Sequence, residues 1–199
     1  MAIRPRDRVW DVRGFSKLCE SLKAHPTLIA GFLKEYFQVG AEIIFTHHGV
    51  LDKYSGDAVM GVFGAFNHKD DDGRQDAVHA VGAAVDMKRQ FVPLLAKWTE
   101  QWTLYTPQVI EIGLGCGIHT GEALIGNGGT ELRDQYTALG PNVNFAQRIE
   151  SRSLKNQILV SASTQARVKD HFELQDARVI NDVKNIPGDF QLFSVVASK

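Results

Sequence analysis

Apolar residues recur along this chain at two periods, and the switches between them mark out its elements. From Pro26, the residues Leu28, Ile29, Phe32, Leu33, Tyr36, Phe37, Ala41 and Ile44 fall at helical spacing and form one broad apolar face, ended by His47-His48-Gly49. Ala77, Val78, Val81, Ala84, Val85, Met87 and Phe91 repeat the pattern and predict a second long helix. Asn142 to Arg152 predicts a third, and shorter helices follow Ser16, a candidate cap, and Ser163. Strands are predicted at Arg8–Val12, Tyr136–Gly140 and Ile158–Val160, with a hairpin-like pair from Phe172 to Val196 around Lys184 to Asp189. Val50 to Phe66 reads as two strands about a turn at Lys53-Tyr54-Ser55-Gly56-Asp57, the second being the buried run Ala58–Phe63. Ile110 to His119 reads as a glycine-rich strand, with Gly121–Gly126 expected as its hairpin partner. Asn67 to Arg74, Gln101 to Gln108 and Asn127 to Asp134 read as loops. Strands and helices alternate irregularly, which predicts an α+β fold: a mixed sheet covered by helices. With no repeat, low-complexity tract or linker, residues 1–199 are expected to form a single domain.

Composition narrows the function by exclusion. The 199 residues carry 22 Lys+Arg against 23 Asp+Glu, a formal net charge of -1, so there is no basic footprint for nucleic acid and no overall pull toward anionic membranes. No apolar run approaches the ~18 residues of a membrane span, and the basic start Met1-Ala2-Ile3-Arg4-Pro5-Arg6 lacks an apolar signal core. Cys19 and Cys116 form no disulfide framework and lack metal-ligand spacing. A reducing cytoplasm is the expected compartment.

Candidate chemistry sits in a few places. Asp11 stands near a strand end before a glycine turn, and Asp57 stands in the turn between two strands. Carboxylates at strand ends can meet at one sheet edge, where two hard oxygen ligands suit Mg²⁺ or Mn²⁺. Taken alone, the pair reads as a helix cap and a turn residue. Asn144 and Arg148 lie four apart on one helix face, able to position a sugar and a phosphate, or simply to be solvated. Lys184, at a strand end, reads alone as a solvated lysine. Gly113-Leu114-Gly115-Cys116-Gly117 is followed by no helix start, so it is assigned to a strand with close backbone packing and not to a dinucleotide fingerprint. His47 and His48 read as helix-end residues, and His119 as a structural hydrogen-bonding residue.

In chain order these pieces resemble the catalytic domain of class III nucleotide cyclases. Trp10-Asp11-Val12-Arg13-Gly14-Phe15-Ser16 is similar to the family's Asp-Ile-Arg-Gly-Phe-Thr segment. His48 to Gly64, through Asp52-Lys53-Tyr54-Ser55-Gly56-Asp57-Ala58-Val59-Met60, resembles its central hairpin. Gly117-Ile118-His119-Thr120-Gly121-Glu122, then Tyr136-Thr137-Ala138-Leu139-Gly140 and Val143-Asn144-Phe145-Ala146-Gln147-Arg148-Ile149-Glu150, resemble a third stretch of the family. The ordered set spans nearly the whole chain and reverses the plainer readings of Asp11, Asp57, Asn144, Arg148 and Lys184.

The resemblance implies a ferredoxin-like mixed sheet with flanking helices. It implies two Mg²⁺ or Mn²⁺ ions held by Asp11, Asp57 and the Val12 carbonyl, and phosphates met by backbone N–H groups of Gly14-Phe15-Ser16. It assigns the base to Lys53 and Thr137, the ribose to Asn144, the transition state to Arg148 and the triphosphate to Lys184. It also implies a head-to-tail homodimer with two shared sites, one subunit giving the two aspartates and the other the base, ribose and triphosphate contacts. Lys53 replaces the Glu of guanylate cyclases and can only donate, so ATP is the first expectation. The alternative is a stand-alone pyrimidine cyclase making cUMP or cCMP as an anti-phage signal for a separate cyclic-nucleotide-responsive effector. The length, which leaves no room for a sensor domain, raises that alternative. A catalytically silent regulatory homologue is disfavoured because every site position is filled.

Overall fold

The computed structural model describes residues 2–3, 6–65, 72–129, 135–183 and 186–199. Its main sheet has seven strands: β2 (Arg6–Arg13), β3 (Gly49–Ser55), β4 (Ala58–Phe63), β5 (Gly113–Thr120), β8 (Gln157–Ser161), β9 (Phe172–Val183) and β10 (Ile186–Ser198), in the order β3-β4-β2-β5-β8-β10-β9. All neighbours are antiparallel except β5 and β8. A small second sheet joins β1 (Ala2–Ile3), β6 (Ala123–Asn127) and β7 (Tyr136–Leu139). The α+β mixed sheet with flanking helices expected from the sequence is the fold observed.

One face of the main sheet is covered by the predicted amphipathic helices. These are α1 (Phe15–Ser21), α2 (Pro26–Thr46), α3 (Arg74–Thr103) and α5 (Ala162–Val168), whose inner residues join Trp10, Val12, Cys116, Ile118 and Val160 in the largest core cluster. Phe32 is fully buried and meets Phe91, Trp98 and Trp102 edge-on, at ring separations of 5.2–6.4 Å. Truncating such a side chain typically costs about 3–5 kcal/mol. This cluster also explains why α3 continues through Thr103 where a loop was expected from Gln101: Trp98 and Trp102 belong to the core.

The other face holds α4 (Pro141–Ser151) and the small sheet. The glycine-rich strand is what lets α4 approach. A Cβ on Gly117 would lie 2.2 Å from the Glu150 backbone nitrogen and 2.6 Å from the Ala146 carbonyl oxygen. The expected close backbone packing is therefore observed.

Three local expectations need correction. Gly121–Gly126 does not form a hairpin with β5, because both edges of β5 are taken by β2 and β8, and β6 pairs instead with β1 and β7. Lys53, Tyr54 and Ser55 belong to β3, so the turn shrinks to Gly56-Asp57. Ser16 lies inside α1, whose cap is Gly14 at φ 87°, a left-handed conformation suited to glycine.

Candidate active site

β4 pairs with β2 only as far as Trp10 opposite Val59. Beyond that point the turn carrying Asp57 takes the place of β4, and the Val12 N–H donates to Asp57 Oδ2 at 3.3 Å. The open strand edge thus brings Asp57 beside the segment that carries Asp11, as the strand-end argument predicts. Burial pushes the Asp57 carboxyl up to about 6, and the charge of Asp11 adds to the rise, partly offset by backbone hydrogen bonds from Asp57 itself and Val12. A carboxylate raised by burial and by a second carboxylate is what a bound cation would relieve. Two hard carboxylates fit Mg²⁺ or Mn²⁺, which need few protein ligands when substrate phosphates complete the shell. Among the described residues, no cluster of three or more His, Cys, Asp or Glu side chains is arranged to hold a metal.

Sequence reasoning missed the neighbour that organises this edge. Arg13 lies two residues from Asp11 on β2, and its guanidinium reaches Asp11 Oδ2 at 3.1 Å. It also donates to the Ser153 carbonyl at 3.2 Å, to Ser153 Oγ at 3.1 Å and to the Glu150 carbonyl, and it meets Glu150 Oε1 at 2.5 Å. Arg13 therefore ties the Asp11 carboxylate to the C-terminal end of α4. The period-2 spacing of Asp11 and Arg13 was the available signal. Glu150 is 7% exposed; burial pushes its carboxyl up to about 7, lowered by Arg13 and raised by Asp11 and Asp57.

These shifts set a pH dependence in metal-free protein. Both carboxyls bind protons more tightly folded than unfolded, from ordinary values of 3.8 and 4.5. Stability then falls as pH rises from about 4 through about 7, because the folded state must release protons it prefers to keep. The melting temperature in chelator is expected to be higher at pH 5 than at pH 8, and Mn²⁺ should restore more of it at pH 8. A melting temperature that rises steadily across this range would refute the assignment.

A second group forms at the small sheet. Lys53 on β3 donates through Nζ to Thr137 Oγ1 on β7 at 3.0 Å, and Thr137 is buried. The hairpin β3–β4 thus sends Asp57 toward β2 and Lys53 toward β7. A third group is Asn144 and Arg148 on α4, opposite the side formed by buried Val143, Phe145, Ala146, Ile149 and Glu150. Gly14, Phe15 and Ser16 form the cap and first residues of α1, adjoining β2. Lys184 lies outside the described residues. His119 is engaged structurally, contacting Ser161 Oγ at 2.9 Å and Asn142 Oδ1 at 3.0 Å, and burial lowers its basicity. His47 ends α2 and its Nε2 contacts Asp86 at 2.8 Å, while His48 turns to the His79 ring.

Comparison with known proteins places these groups in context. The sequence model of the adenylate and guanylate cyclase catalytic domain matches residues 9–194. An adenylate cyclase of Anabaena cylindrica is 33% identical over 142 residues, covering 70% of this chain and 25% of that protein. The chain therefore spans about a quarter of that relative's length. The structure of the adenylyl cyclase CyaB from P. aeruginosa superposes with a TM-score of 0.89 at 31% identity, over 100% of this chain and 96% of that one. The guanylyl cyclase Cya2 superposes at 0.84 with 29% identity, over 100% and 94%. No helix among the described residues is long and apolar enough to cross a membrane.

Proposed function

The chain belongs to the adenylate and guanylate cyclase catalytic domain family, and from that membership we propose that it converts ATP to 3′,5′-cyclic AMP and pyrophosphate as a metal-dependent homodimer with two shared sites. The observation that carries the choice of base is the Lys53–Thr137 contact. An ammonium donates and cannot accept, so it suits N1 of adenine and opposes the N1–H of guanine. The Thr137 hydroxyl, held beside it, can accept from the adenine amino group.

The residues divide the work. Lys53 and Thr137 fix the base, Asn144 orients the ribose, and the α1 N-terminus at Gly14-Phe15-Ser16 and Lys184 meet the phosphates. This positioning aims the 3′-hydroxyl in line at the α-phosphorus, with pyrophosphate as the leaving group. Arg148 meets the charge that develops there. Asp11, Asp57 and the Val12 carbonyl would hold two Mg²⁺ or Mn²⁺ ions, which when bound favour the 3′-oxyanion and offset phosphate charge. Because one hairpin directs Asp57 and Lys53 to different neighbours, the aspartate group and the base group are read as halves of two different sites, completed by a second copy.

Incubation with each of ATP, GTP, CTP and UTP in Mn²⁺, followed by identification of the cyclic product, tests the reading. Cyclic AMP is the expected dominant product. Preferred conversion of UTP or CTP, whose acceptor atoms an ammonium also suits, would overturn the adenine assignment and support the pyrimidine-signal reading.

A further inference from the structure

The base-reading contact rests on a carboxylate that the mechanism above does not use. Asp52 precedes Lys53, its side chain is 1% exposed, and among the described residues neither carboxylate oxygen has a hydrogen-bond partner. Its one recorded ionic neighbour among the described residues is Lys53 Nζ, 3.4 Å from Oδ2, an ionic contact and not an aligned hydrogen bond. Burying a charge so incompletely paired is costly, and such groups call for an explanation.

The strand register supplies one. Val50 pairs with Val62, Leu51 with Gly61, and Lys53 with Met60, so Asp52 is the extra residue of a β-bulge. Val50, Val62 and Met60 belong to the cluster under the small sheet, whereas Leu51 packs into the helix-side core. Strict alternation would put Lys53 on the same side as Leu51, toward the helices. The bulge returns Lys53 to the side of Met60, where it reaches Thr137, and leaves the Asp52 carboxylate buried against the lysine ammonium.

We propose that Asp52 is a positioning residue for nucleotide selection: its buried carboxylate and the bulge it creates hold the Lys53 ammonium against Thr137 before a base arrives. Between two exposed groups the pull would be weak and undirected; here the carboxylate is withdrawn from water while the Lys53 side chain keeps 32% of its exposure, so the attraction is fixed in direction on one side. This inference rests on Lys53 reading the base, and the test separates the two.

Binding of 3′-deoxy-ATP, which cannot cyclise, is compared with the 3′-deoxy forms of GTP, CTP and UTP for wild type, Asp52→Asn, Asp52→Glu and Lys53→Met, alongside melting temperature and turnover of ATP. Asp52→Asn is expected to reduce the preference for the adenine nucleotide about tenfold and to raise KM for ATP with little change in kcat. Its melting temperature should stay level or rise, because a poorly paired buried charge is gone and the half-exposed lysine can reach water. Asp52→Glu, which keeps the charge, should recover part of the preference. Asp52→Ser removes the charge in a smaller side chain and decides the matter if the amide variant does not fold. Unchanged preference in Asp52→Asn, or a uniform loss for all four nucleotides with a lower melting temperature, overturns the inference. If Lys53→Met also leaves the preference intact, the base assignment itself fails; if only Lys53→Met alters it, Asp52 alone is misassigned.

Discussion

Asp57→Ala should lower cyclic-nucleotide formation by ~10³-fold or more while leaving the fold and the subunit association in place. The carboxylate does little for stability in the absence of metal. Its proton affinity is raised by burial and by Asp11, so the folded state holds it at a cost. The turn it occupies is set by Gly56 at φ 61°, which the substitution leaves untouched. What is lost is one of the two carboxylates at the β2 edge. The melting temperature of the variant in chelator should match or exceed that of wild type, and the stabilisation wild type gains from Mn²⁺ should largely vanish. The combination is diagnostic. A variant that keeps full activity refutes the metal role of Asp57, and one that loses activity only in proportion to unfolding shows Asp57 to be structural. Asp11→Ala should cost as much activity but disturb more, because Arg13 would lose one of its partners and remain tied to Glu150 and Ser153.

Much of this edge was legible because its chemistry is local in sequence. Asp11 sits near the end of β2 and Asp57 in the turn between β3 and β4, and such places are where short polar residues meet at a sheet edge. The amphipathic faces of α2 and α3 were equally open to reading, since burial of one stripe leaves its period in the chain. What stayed hidden depends on contacts between distant segments. Nothing near Arg13 announces that its guanidinium will reach Glu150 and Ser153, more than 130 residues later. The β6 error has the same origin: adjacency in sequence favoured a hairpin, but β8 arrives from far along the chain and takes the edge of β5 in parallel pairing. The bulge at Asp52 is a subtler case. A carboxylate after Val50-Leu51 was visible just ahead of the expected turn at Lys53, yet nothing in the sequence marked it as buried, because burial of an aspartate makes sense only once Lys53 and Thr137 are seen to close over the same point.

Mixing Asp11→Ala subunits with Arg148→Ala subunits should restore activity that neither variant has alone, and this is the strongest test of the shared site. The two substitutions lie on separate elements, β2 and α4, so each removes one contribution and spares the other. In a head-to-tail dimer of one of each, one site receives intact Asp11 from the Arg148 variant and intact Arg148 from the Asp11 variant. The other site receives both defects. Random exchange makes about half the dimers mixed, each with one working site, so recovery approaches about a quarter of wild-type activity per total protein. A site built within one chain gives no recovery, since every site would then carry one lesion or the other. Adding Asp57→Ala to the Asp11 variant should leave recovery unchanged, because those carboxylates serve only the dead site. Adding it to the Arg148 variant should abolish recovery. That asymmetry assigns the aspartates and the α4 residues to opposite subunits of the same active site, a result that neither loss of activity nor loss of stability in a single variant can imitate.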